Sequence, residues 1–243
     1  MFMTDLSNKK ILIIGGSSGF GLKTAELALK ANAEVIIIGR DEHRVDQSVT
    51  SLKSNANQVA GEVLDATNSE QLNRLLTHYG QFDHVISMLG GVMGGGFVTA
   101  PIAEIRQTIE DKFFANLTIA KAIWPHINNQ GSMIFTSGAG GHPADASGAI
   151  VGNQAIETMV AGLAVELAPK IRVNAVAPTW TPTGLWRDLQ GQELKSNQAQ
   201  MVQQIPLQRV SKVEEVAKAF LFLMDNGFVT GQTIYVDGGI SVN

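Results

Sequence analysis

The apolar positions of this chain fall in short runs separated by amphipathic stretches, and the alternation persists from end to end. Lys10–Ile14 is an apolar run that stops at a glycine, and Glu34–Ile38 is β-branched and too short for a helix. Both read as buried strands, because a strand covered on two faces has no polar side to alternate with. The same reading predicts strands at Gln58–Val63, His84–Met88, Ser132–Thr136, Arg172–Ala175 and Thr233–Val236. Between them it predicts helices at Gly19–Lys30, Ser69–His78, Pro101–Ile127, Ala149–Ala168 and Val213–Met224. About seven strands alternating with helices imply an α/β fold, a doubly wound parallel sheet covered on both faces. No internal repeat and no Pro/Ser-rich linker interrupts it, so residues 1–243 are expected to form a single domain.

Two stretches depart from this regularity. The predicted helix Ala149–Ala168 is apolar nearly all round, through Ile150, Val151, Ala155, Ile156, Met159, Val160, Leu163, Ala164 and Leu167. A helix without a wide polar face is buried on more than one side. One face should cover the sheet, and the other is expected to meet a second copy of the chain, in a dimer or a homotetramer. Gly90–Gly96 places five glycines in seven residues just after a strand. It reads either as a flexible connector or as backbone that a ligand approaches closely.

Composition narrows the functional classes. Apolar residues make up 44% of the chain and charged ones 16%, as in ordinary globular enzymes. A net charge of −4 offers no basic footprint, which argues against nucleic acid as a partner. No apolar run reads as long enough to span a bilayer, and Met1–Lys10 lacks a signal-peptide core, so no membrane association and a cytoplasmic location are expected. The absence of cysteine removes disulfides and thiolate chemistry. The five histidines show no metal-ligand spacing, so no metal site is expected.

The strongest local signal is Gly15-Gly16-Ser17-Ser18-Gly19-Phe20-Gly21, directly after the first strand and opening a helix. Glycines permit a tight turn there and let the backbone approach a pyrophosphate, while the helix N-terminus offers free N–H groups and a positive dipole end. The Gly-x-x-x-Gly-x-Gly spacing resembles that of the short-chain dehydrogenase/reductase family, and further segments follow that family's order. Leu64-Asp65-Ala66-Thr67, Arg172-Val173-Asn174-Ala175-Val176-Ala177-Pro178, Ile205-Pro206-Leu207-Gln208-Arg209-Val210 and Val229-Thr230-Gly231-Gln232 to Asp237-Gly238-Gly239 all carry the likeness, which covers roughly residues 8–240.

The resemblance implies a Rossmann-type fold and a nicotinamide dinucleotide cofactor. It places Gly15, Ser17, Ser18, Gly19, Phe20 and Gly21 at the phosphates, Asp65 at the adenine, and Leu89, Gly90, Asn153, Pro178 and Thr183 along the remaining cofactor. At the end of the second strand stands Gly39 followed by Arg40, where NAD users usually carry an acidic residue. A neutral residue followed by a guanidinium suits a 2′-phosphate, so the expected cofactor is NADP(H).

The family's usual asparagine, serine and Tyr-x-x-x-Lys pair do not recur. Aligned outward from the matching stretches, the asparagine slot holds Lys112 and the serine slot Gly138, or Ser137 with a one-residue slip. The tyrosine slot holds Ala149 and the lysine slot Asn153. Lys112 is the candidate catalytic residue, because a partly buried lysine can titrate near neutrality. His142, Asp145 and Ser147, before the Ala149 helix, are the other groups near the expected substrate mouth; Ser147 reads equally as a helix cap. Trp180, Leu185 and Trp186 suggest an apolar pocket or a packed lid, and the polar segment Gln190–Gln204 a mobile cover. The leading expectation is an NADP(H)-dependent reductase with a non-standard active site, acting on an apolar small molecule. The alternatives are a catalytically silent NADP(H)-binding or oligomer-completing homologue, and a lyase or isomerase without net redox change.

Overall fold

The computed structural model describes residues 4–53, 58–186 and 191–243. Seven strands form one parallel sheet in the order β3-β2-β1-β4-β5-β6-β7. They are β1 (Lys10–Ile14), β2 (Glu34–Gly39), β3 (Val59–Val63), β4 (Phe82–Ser87), β5 (Ile127–Thr136), β6 (Ile171–Pro178) and β7 (Thr233–Val236). The helices are α1 (Gly19–Lys30), α2 (Glu42–Lys53), α3 (Ser69–Tyr79), α4 (Ile102–Ile109), α5 (Ala115–Ile123), α6 (Ser147–Glu166), α7 (Gly191–Gln204) and α8 (Val213–Asp225).

The apolar strands are explained by cover on both faces. Leu12, Ile14, Ile36 and Ile38 point to one side, where they pack with residues of α3, α5 and α6. Ile11, Ile13, Val35 and Ile37 point to the other, among residues of α1, α2 and α8. Side chains alternate across a strand, so a one-residue slip of β1 against β2 would exchange both sets; the observed pairing sets Ile11 beside Val35 and Ile13 beside Ile37.

Several boundaries differ from the sequence reading. Helix α2 was not anticipated because its buried stripe is only Val45, Ser48 and Leu52 on an otherwise polar helix. Segment 191–204 is helical although it buries no residue fully, so its glutamines hid a regular element; Gln190 lies outside the described residues. The predicted single helix Pro101–Ile127 is instead α4, a π-helical turn at Glu110–Phe114, α5 and a short 3₁₀ turn at Trp124–His126. Ile127 already belongs to β5. In the π turn the Ala115 N–H reaches back five residues to the Glu110 carbonyl, and Asn116 Nδ2 donates to the Lys112 carbonyl at 2.6 Å. Such turns satisfy backbone groups irregularly and often mark functional positions.

Helix α6 begins at Ser147, two residues earlier than expected, and Ser147 does not cap it. Its Oγ donates instead to the Gly95 carbonyl at 3.0 Å, tying the glycine-rich loop to the helix start. Contrary to the sequence reading, α6 is long and apolar enough to cross a bilayer by length and composition. Here it packs along the sheet, with Ile156, Val160 and Ala164 buried against it.

Candidate active site

The site is built where the strands end. Gly15 and Gly19 both have positive φ, 81° and 52°, in the turn between β1 and α1. A methyl group on Gly21 would collide with the Gly15 carbonyl, so the turn closes only with glycine at that position. Ser18 is the N-cap of α1 but makes no side-chain cap, which leaves the first N–H groups of the helix facing outward. A glycine turn that opens on an uncapped helix N-terminus offers backbone N–H groups of the kind that bind anions. Gly39, at the end of β2, lets Ser17 approach: an added Cβ would lie 2.7 Å from Ser17 Oγ.

The other expected cofactor residues fall into two groups. Arg40 is exposed beyond β2. The Asp65 carboxylate is held below its ordinary range, first by the Thr67 hydroxyl and amide, with a smaller contribution from the charge of Arg40. Ser17, Arg40 and Asp65 therefore sit on the β2 side of the turn, outside the main cleft. Gly15, Ser18, Gly19, Phe20, Gly21, Leu89, Gly90, Asn153, Pro178 and Thr183 all line that cleft, which has a volume of about 720 Å³. Thr183 arrives from the loop after β6: a Cβ on Gly19 would lie 3.4 Å from its Cβ.

Lys112 lies on the floor of the same cleft. The π turn carries it, and its Nζ donates to Asn153 Oδ1 at 2.9 Å. Asn153 Nδ2 in turn donates to the Gly138 carbonyl at 3.1 Å, which fixes the amide. Two glycines, Gly152 and Gly138, make room for this pair, and a third, Gly90, borders it. A Cβ on Gly152 would come within 2.9 Å of Lys112 Cδ, one on Gly138 within 2.8 Å of Asn153 Nδ2, and one on Gly90 would lie 3.4 Å from Lys112 Nζ. Burial pushes the Lys112 ammonium down to about 8. Among the described ion pairs none involves Lys112. A buried ammonium with an amide as its neighbour and no carboxylate is an unusual expense for a fold.

Behind the floor, Ser137 Oγ donates to Glu157 Oε1 at 2.7 Å. Tyr235 OH donates to Glu157 Oε2 at 2.9 Å. Asn116 is fully buried beneath Lys112, where it accepts from Ser87 Oγ at 2.6 Å as it donates to the Lys112 carbonyl. The sequence reading missed Asn116 and Glu157; polar residues inside the apolar α5 and α6 patterns were the available signal.

The remaining candidates separate cleanly. His142 and Asp145 are exposed and do not line the cleft, because their loop turns on itself through the Asp145 N–H to His142 carbonyl bond. Gly90, Gly91 and Gly94 line the cleft, whereas Gly96 is required by packing, since a Cβ there would strike the Ala144 carbonyl. Trp180 and Trp186 stack with ring centroids 5.5 Å apart and close one wall together with Leu185 and Met201.

The fold and the turn define the class: a Rossmann-type α/β protein whose cleft opens beyond the carboxyl ends of its strands. A family model described as enoyl-(acyl carrier protein) reductase matches residues 15–241. The chain is 31% identical to the short-chain dehydrogenase/reductase fsr5 of Gibberella fujikuroi, over 98% of this chain and 96% of that protein. A crystal structure of a short-chain dehydrogenase/reductase from Brucella melitensis superimposes with a TM-score of 0.87 at 25% identity, covering 100% of both chains. A short-chain oxidoreductase of Pseudomonas aeruginosa PAO1, described as containing an atypical catalytic center, gives a TM-score of 0.87 at 26% identity, over 98% of this chain and 99% of that one. The chain belongs to the short-chain dehydrogenase/reductase family, whose members use NAD or NADP.

Proposed function

We propose that this chain is an NADP(H)-dependent oxidoreductase with a non-standard active site, acting on a carbonyl compound, or the corresponding alcohol, with an apolar body. The observation that carries this reading is Lys112, a buried ammonium in the cleft with no carboxylate partner. A site that holds an unpaired cation favours a group on which negative charge develops. When bound, the nicotinamide supplies or accepts the hydride. Lys112 then holds positive charge at the acceptor oxygen, and the Asn153 amide keeps its Nζ in place.

The glycine turn and the α1 N-terminus are the proposed pyrophosphate site, with Asp65 toward the adenine and Leu89, Gly90, Asn153, Pro178 and Thr183 toward the nicotinamide end. NADP(H) is favoured over NAD(H) by exposed Arg40 after neutral Gly39. The Trp180–Trp186 stack with Met93, Ile150 and Met201 supports an apolar substrate. A homo-oligomer, dimer or tetramer, in the cytoplasm completes the reading, supported by the apolar outer positions of α6 such as exposed Val165.

Ala149, which puts no hydroxyl in the cleft where the family places its tyrosine, favours a second reading, a cofactor-binding homologue without turnover. Purified protein incubated with NADPH and a panel of ketones, aldehydes, quinones and enones separates the two. Oxidation of NADPH coupled to product supports the enzyme; tight NADPH binding with no product across the panel supports the silent homologue.

A further inference from the structure

Glu157 is a carboxylate held behind the cleft floor through Ser137, and neither of its oxygens is engaged by a cation among the described ion pairs. Its two partners are hydroxyls: Ser137 Oγ at 2.7 Å on Oε1 and Tyr235 OH at 2.9 Å on Oε2. Ser137 lines the cleft and is itself buried, so its hydroxyl is withdrawn from bulk water and held on Glu157. Because its hydrogen points to the carboxylate, its lone pairs are free to accept from a ligand in the cleft. Asn153 joins the two halves of the floor: its side chain accepts from Lys112 Nζ, and its carbonyl oxygen lies 3.4 Å from Ser137 Oγ, whose hydrogen goes to the closer Glu157. Glu157 is only partly buried, so a proton reaching it can exchange with solvent.

We propose that Ser137 and Glu157 form a proton path for the hydride step, with Tyr235 as the residue that positions Glu157. This rests on the oxidoreductase reading above. In the oxidative direction the substrate O–H bond breaks and its proton passes to Ser137 Oγ. The Ser137 Oγ–H bond breaks at the same time and that proton passes to Glu157 Oε1, from which it leaves to water. The oxygen's electron pair forms the C=O bond as the carbon-bound hydrogen departs as hydride to the oxidised nicotinamide, the named oxidant. In the reductive direction each bond change is reversed, with reduced nicotinamide as the reductant and a protonated Glu157 recharging Ser137. Burial and then the neighbouring Glu157 carboxylate push the Tyr235 phenol up to about 12, so Tyr235 remains a donor and leaves Oε1 to Ser137. The Ser137 hydroxyl and the Glu157 carboxylate behind it thus supply the proton route that Ala149 cannot.

The test uses full-length protein, NADPH and benzil, a diaryl diketone whose reduction needs one hydride and one proton. Glu157→Gln and Ser137→Ala are each expected to lower kcat by roughly 10²-fold, with KM for benzil and NADPH affinity unchanged. The double variant should fall no further than the weaker single one, because the two residues act as a unit. A readout without turnover follows tyrosinate absorbance in a Tyr79→Phe background, which isolates Tyr235. Its phenol should titrate near 12 with Glu157 present and lower in Glu157→Gln, with burial still holding it above the free value. Wild-type rates in both single variants, additive losses in the double variant, or a Tyr235 titration indifferent to Glu157 would each overturn the path while leaving the oxidoreductase reading intact. Wild-type protein that binds NADPH but reduces neither benzil nor the wider panel would instead overturn that reading, and the path with it.

Discussion

Lys112 Nζ and Asn153 Oδ1 meet at 2.9 Å on the cleft floor, the cation from the π turn after α4 and the amide from α6. The family resemblance puts an amide in the first of these positions and an amine in the second. On that alignment this chain carries the amine in the first position and the amide in the second, and the two are in contact. That arrangement keeps one positive charge and one amide in the same space; Gly152 clears the volume that the lysine needs and Gly138 that of the amide.

Holding that charge is expected to cost stability. Burial lowers the Lys112 pKa from 10.5 to about 8, and at about 1.4 kcal/mol per unit this corresponds to a penalty of order 3 kcal/mol. The unfolded chain binds more protons than the folded one between those two values, so stability rises with pH across that window. Below pH 8 the full penalty is present. Lys112→Met should therefore be more stable than wild type at pH 7 by about 1–3 kcal/mol in urea denaturation. Its stability should also lack the rise between pH 8 and 10.5. A variant less stable than wild type at pH 7 would mean that Lys112 is paired in solution.

The same titration has a catalytic sign. If the ammonium form stabilises charge on the acceptor oxygen, kcat for reduction is highest below about 8 and falls as pH rises through it. Steady-state rates with saturating NADPH should trace that limb, and Lys112→Gln should flatten it. Retention of the limb in Lys112→Gln would assign it to another group.

Cofactor choice is expected to depend on Arg40, which is exposed and follows neutral Gly39 at the end of β2. Arg40→Ala should weaken NADPH binding by about 10-fold or more, the loss of one charge-assisted contact, and change NADH binding little. Nicotinamide fluorescence titrations measure both. Equal losses for the two cofactors would contradict the 2′-phosphate assignment.

Arg172 is expected to matter for stability alone. Its guanidinium donates to the carbonyls of Leu223 at 2.8 Å, Val229 at 3.1 Å and Met224 at 2.9 Å, tying the end of α8 to β6. Arg172→Ala leaves three carbonyls without that donor and should cost about 2–4 kcal/mol. NADPH affinity below the melting transition should be unchanged; a selective loss of cofactor binding would place Arg172 in the site instead.

The strands were legible because apolar cover on both faces removes their alternation: Ile11 to Ile14 and Val35 to Ile38 are buried without exception. The glycine turn was legible for a related reason, since Gly21 tolerates no side chain against the Gly15 carbonyl. Lys112 could be singled out by its slot on the long helix, but the π turn that carries it has no composition signal. The π turn shows only in the hydrogen bonds of Ala115 and Asn116. The Glu157–Tyr235 pair joins residues 78 apart, and its meaning depends on β7 lying beside β6. Helix α7 was hidden for the opposite reason: it buries no residue fully and so leaves no apolar period to read.

The role of Lys112 is tested most directly by hydride transfer from deuterium-labelled NADPH to benzil by wild type and by Lys112→Met, with the product analysed by mass spectrometry. Deuterium is expected on the carbinol carbon with wild type, and a rate lower by about 10²–10³ with Lys112→Met, at equal NADPH affinity. Equal rates in the two proteins would contradict that role.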